Sequence, residues 1–158
     1  MKGLLAGLAI VAVGSSQAPA CVMAPPATPE VQRQRTLDFQ ASLWDRSQTV
    51  FVARVERRGP VKIKGAHEGQ EAVLRPVLQL KGPPVTPLVT VRHTHFTSCG
   101  PAPFLDALHP QAEGVFVVYS SSAEPTGEAV IGTLAPKALI EPRALEAWAK
   151  AYARAAPR

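Results

Sequence analysis

The sequence predicts an all-β domain whose strands close, or nearly close, into a small barrel, with one helix at each end. Three observations predict it. Five runs rich in Val, Ile, Thr and Phe lie between residues 49 and 134, separated by turns containing Gly or Pro. The long stretches with helical spacing lie before the first run and after the last. No repeat, low-complexity tract or internal linker divides the chain, so a single core is expected.

The first residues read as a targeting segment. Lys2 supplies a positive start, and Leu4 to Val13 is an apolar run of about ten residues, the length of a signal-peptide core. It is well short of the roughly 20 residues a spanning helix needs. Ala18 and Ala20 are the small residues a signal peptidase accepts. Residues 1–20 are therefore expected to be a signal peptide, and residues 21–158 the mature domain. Cleavage makes Cys21 the first residue, with a free amine, a carbonyl and a thiol on neighbouring atoms. The expected location is secreted or periplasmic. The alternative is an outer-envelope lipoprotein with lipid on the Cys21 sulfur, although Ala18 stands where such sites usually carry a Leu-like residue.

Residues 25–29 hold three prolines and should be extended. Glu30 to Arg46 lacks Pro and Gly, and Val31, Leu37, Ala41 and Trp44 recur at helical spacing. Thr49 to Glu56 reads as a strand, Arg57 to Pro60 as a turn, and Val61 to Lys64 as a short exposed arm. Ala72 to Leu80 is the second long strand, and Pro76 marks an edge or a bulge in it. Leu88 to Phe96 is the third, with Val89, Val91, His93 and His95 on one side of the pleat. Gly114 to Ser120 is apolar enough for a central strand, and Ala129 to Leu134 follows as the fifth. From Pro142 to about Arg154 the tail is helical, with Leu145, Trp148, Ala149 and Tyr152 as its apolar stripe. This pattern best fits a five-stranded oligomer-binding (OB) barrel, with a β-sandwich second.

Composition excludes several roles. The formal charge is +5 and Lys2 is the only charge in the leader, so the mature chain carries +4, scattered rather than clustered. Aromatic residues make up 6%, too few for the stacking platforms of single-strand binders, and no nucleic-acid partner is expected. His93 and His95 lie about 7 Å apart along a strand, but no third metal ligand is near in sequence. His67 and His109 carry no pattern, and Ser98 and Ser120 to Ser122 lack the context of a nucleophile. No phosphate loop or paired-carboxylate motif is present. The expectation is a protein that is not an enzyme and needs no cofactor.

Cys21 and Cys99 are the two cysteines. In an oxidising compartment the default is one disulfide between them. It closes a loop of about 80 residues, which the chain-entropy account credits with about 4–5 kcal/mol. Lipidation of Cys21 would instead leave Cys99 unpaired. Membrane association is expected only in that case.

The order of these features resembles the tissue inhibitors of metalloproteinases, members of the netrin-like family. Cys21-Val22-Met23-Ala24-Pro25 is similar to their Cys-x-Cys-x-Pro start. Thr49 to Val55 resembles their first strand, Val77 to Gly82 a strand ending in Lys-Gly, and Thr97-Ser98-Cys99-Gly100 the segment receiving the first disulfide. Gly114 to Tyr119 matches the strand after it, so the likeness covers Cys21 to Leu134. It implies a netrin-like OB barrel in which Cys21, Val22, Met23, Thr97, Ser98 and Cys99 form one inhibitory ridge. The Cys21 amine and carbonyl would chelate the zinc of a partner metalloprotease, and Val22 would enter the adjoining substrate pocket. Met23 replaces the family's second cysteine, and that cysteine's partner is missing with it. The cysteine-rich second domain has no counterpart in these 158 residues. The resemblance is thus to the reduced, single-domain bacterial type.

Overall fold

Thr28 starts the first element in the computed structural model, which describes residues 27–65, 67–97, 100–101 and 105–155. Its side chain accepts from the Val31 N–H and Pro29 takes the first helical position, so α1 (Pro29–Arg46) begins with a donor satisfied and a preset φ. At the other end the Ser47 hydroxyl donates to Leu43 O. The chain then passes directly into β1 (Thr49–Lys62).

β1 forms a long antiparallel hairpin with β2 (Glu68–Lys81), and β3 (Val89–Arg92) pairs with β2. After a two-stranded ribbon of β4 (Phe96–Thr97) and β5 (Gly100–Pro101), β6 (Val115–Ser120) returns beside β1 and β7 (Val130–Leu134) beside β6. The main sheet is antiparallel, in the order β3-β2-β1-β6-β7. The helix α2 (Pro142–Ala155) ends the described chain. The fold is thus mostly β, with a five-stranded antiparallel sheet and flanking helices, as expected in outline.

The barrel, expected to be closed or nearly so, does not close. β3 is only four residues long, and its outer edge meets the 3-10 turn Gly127–Ala129 instead of β7. A Cβ built on Gly127 falls 1.8 Å from Thr90 O, so bare backbone is the only thing that fits there. The free edge of β7 is met by one parallel bridge, Leu105 to Thr133. The sheet curls toward closure but stays open along this seam.

Several boundaries also differ from those read in the sequence. Arg57 to Pro60, expected as a turn, continues β1, with Pro60 opposite Gln70. The proline is tolerated because β6 pairs with β1 only as far as Arg54, leaving one side of β1 without a ladder. Glu56 is the extra residue of a bulge in this stretch. Pro76 sits at both an edge and a bulge: β3 pairs only up to Leu74, and the register slips between Val52 and Ala53. The third strand stops at Arg92, short of the expected Phe96. Up to that point the alternation holds, with Val89 and Val91 buried and Thr90 and Arg92 exposed.

The centre of the sheet is buried on both faces, which explains the unbroken apolar runs in β1 and β6. Phe51, Ala53, Leu74, Val91, Phe116 and Val118 face the concave core. Val50, Val117, Tyr119 and Leu134 face the helices, together with Leu43, Leu139 and Ala144. Each helix is rotated from its expected stripe. Gln40 and Leu43 are the buried residues of α1 while Val31 is 44% exposed. In α2, Ala144 and Ala151 are buried and Trp148 packs beside them, whereas Leu145 and Tyr152 are 45% and 68% exposed. Alanines allow the helix to approach the sheet more closely than leucine and tyrosine would.

One buried fastening joins the helical layer. The Gln40 amide donates to Ala138 O (2.7 Å) and accepts from the N–H groups of Ile140 (2.8 Å) and Glu141 (3.0 Å). Glu141 caps α2 by accepting from Ala144 N–H (2.7 Å), and its other oxygen accepts from Arg143 Nε (2.5 Å). Arg143 reaches on to Asp45 (2.6 Å), tying the helices together.

Beneath this layer the Tyr119 hydroxyl is buried with no hydrogen-bond partner among the described residues. Burial, then the nearby Glu141 carboxylate, pushes its pKa far up. The fold therefore favours the neutral phenol. The stability this confers is present below the unfolded value of about 10 and is lost as pH rises above it. Tyr119→Phe should leave stability at neutral pH unchanged or slightly higher, since no hydrogen bond is lost. It should also flatten the fall in stability above about pH 10, as urea midpoints at the two pH values would read.

Candidate functional site

The far end of the β1–β2 hairpin reaches beyond β6 and meets the ribbon that carries the predicted Cys99 segment. The hairpin turns through Gly65 at φ +92°, closed by Ile63 N–H donating to His67 O (2.9 Å). Gly69 is backbone only because Ile63 and the His93 Cβ lie over it, at 2.7 and 2.9 Å from any added Cβ. The His67 ring stacks on Phe96, with centroids 4.2 Å apart and planes within 6°. This contact joins the hairpin tip to β4.

Between β3 and β4 the two predicted imidazoles part company. His93 stays on β2: its N–H donates to Gln70 O (3.0 Å), and its Nδ1 accepts from Gln70 N–H (3.0 Å). Burial pushes its pKa down, which suits a neutral acceptor. His95 is exposed, with Nδ1 3.1 Å from Thr94 Oγ1. The strand ends before either residue, so they do not share a strand face. Among the described residues no three His, Cys, Asp or Glu side chains are grouped to hold a metal.

Of the six predicted ridge residues, the structure describes Thr97. It is half-buried at the end of β4 and pairs with Gly100 of β5. Ser98 and Cys99 fall between those two paired residues in sequence and lie outside the described residues. Cys21, Val22 and Met23 lie outside them as well, and so does the proposed Cys21–Cys99 disulfide.

The other residues weighed in the sequence have local duties. Ser120 Oγ donates to Ser122 O (3.1 Å) and accepts from Ser122 N–H (3.2 Å), holding a turn. His109 Nδ1 accepts from Gln111 N–H (3.3 Å). His109 also lines an open cleft of about 520 Å3 with Asp106, Glu113, Lys137 and an apolar floor that includes Phe116. Asp106 is committed there, since its Oδ2 accepts from Ala135 N–H (2.9 Å). The sequence gives no sign of this cleft because its walls come from segments far apart in the chain, joined by that bond, the Leu105–Thr133 bridge and Ala107 N–H donating to Thr133 Oγ1 (3.0 Å). No described helix is long and apolar enough to cross a membrane. Compared with known proteins, the chain matches no family model, no curated protein and no solved structure.

Proposed function

We propose that this is an exported, netrin-like OB domain that inhibits a zinc metalloprotease through its Cys21 terminus. The observation that carries the reading is the pairing of Thr97 with Gly100, antiparallel partners in a ribbon braced against the hairpin tip by the His67–Phe96 stack. Cys99 falls between these two in sequence. A disulfide from that position would fix the new N-terminus beside the ribbon and limit the entropy lost on docking. Strand order supports the fold. Counted along the chain, the main sheet runs third, second, first, fourth, fifth, the order that an OB barrel would have if opened between its third and fifth strands.

In this reading the Cys21 amine and carbonyl oxygen occupy the open position that a catalytic zinc keeps for water. The amine, of unperturbed pKa about 7.7–8.0, must be neutral to bind, so inhibition strengthens as pH rises through neutrality. Val22 then enters the adjoining substrate pocket. One alanine added before Cys21 moves the amine away from the disulfide, and inhibition of a metalloprotease panel should be lost. Equal potency with the extra residue overturns chelation. Intact mass of the exported protein provides a second check. Loss of two hydrogens with Cys21 first supports the reading, and a diacylglyceryl adduct replaces it with a lipid-anchored envelope protein.

A further inference from the structure

We infer that the outer face of β1, β2 and β3, beyond the two helices, is a docking surface for an anionic phospholipid bilayer. The inference is independent of the Cys21 reading. Arg54 of β1 lies directly opposite Arg75 of β2 in the antiparallel register. Facing positions hold their Cβ atoms about 5 Å apart, and like charges placed there oppose folding. Arg57 continues the same face one bulge further along β1, opposite Val73, and Arg92 of β3 extends it on the other side of β2. All four guanidinium side chains belong to exposed residues. Three acids stand beside them: Glu56 pairs with Arg75, Glu71 lies opposite Arg92, and Glu128 lines the same groove as Arg92. The four arginines outnumber these acids by one, and Arg54 and Arg57 face no acid in the strand register.

The arrangement fits a surface better than a single anion. The arginines are spread across three strands at successive cross-strand positions, where separate phosphates can each meet one. Apolar side chains border them: Val77 follows Arg75 by two residues and Leu88 begins the approach to β3, and they are 49% and 48% exposed. Basic groups near a bilayer interface combined with apolar side chains that enter it are the two attractions peripheral proteins use.

The test is co-sedimentation of the chain from Cys21 to Arg158 with vesicles of phosphatidylcholine alone or mixed equally with phosphatidylglycerol. Binding is expected to the mixed vesicles only, and to weaken with salt. Arg54→Glu with Arg92→Glu should reduce it about tenfold or more. Arg54→Gln with Arg92→Gln, a milder pair, should reduce it severalfold. Arg33→Glu with Arg35→Glu, which makes the same change in net charge on exposed positions of α1, should leave it within about twofold. Three results would overturn the inference: no binding to mixed vesicles, equal loss in both reversed pairs, or retention of a soluble polyanion such as polyphosphate without vesicle binding.

Discussion

Replacing Gln40 with leucine should destabilise the domain by about 3–5 kcal/mol, read as a fall in the urea midpoint at unchanged slope. The size follows from what leucine cannot do. Gln40 is 1% exposed, and its amide satisfies Ala138 O and the N–H groups of Ile140 and Glu141. Leucine has a similar volume, so the loss comes from desolvated backbone groups left without partners rather than from a void. Those groups lead straight into the cap of α2, so the helix should loosen as well. Gln40→Glu should be no rescue: it removes the donor to Ala138 and adds a buried charge. A loss below about 1 kcal/mol for Gln40→Leu would mean the 138–141 segment finds other partners.

Gly127→Ala should cost about 2–4 kcal/mol, again by urea unfolding. The added carbon would sit 1.8 Å from a main-chain oxygen of β3, and 3.0 Å from the carbon that bears it. Neither neighbour is a side-chain end that can swing away. β3 must separate from the turn leading into β7, and the seam of the curled sheet opens. Gly59→Ala supplies the contrast, since a Cβ there meets nothing within 4 Å. Its stability should stay within about 0.5 kcal/mol of the parent.

Where side-chain chemistry alone decides, the sequence was informative. The strand Val115–Ser120 and both helices stand where composition and periodicity put them. Pro76 marked the point where β2 loses its second partner. What could not be read depended on neighbours distant in the chain. Arg57 to Pro60 looked like a turn because Gly and Pro break most ladders, yet one side of β1 has no ladder there to break. Gln40 gave no sign of burial, because its partners lie about a hundred residues later. Closure of the barrel depended on the length of β3 and on a glycine turn meeting its edge, and neither follows from apolar patterning. At the candidate site, neither the Thr97–Gly100 pairing nor the His67 brace has a signal in the sequence.

The Gln40 fastening also bears on how the chain folds as it is synthesised. Its acceptor and donors are separated from Gln40 by 98 to 101 positions. The helical layer cannot lock until the 138–141 segment has been made, and long-range closure of this kind is intrinsically slow. The first helix therefore waits, without its buried partners, for the far end of the sheet to be complete.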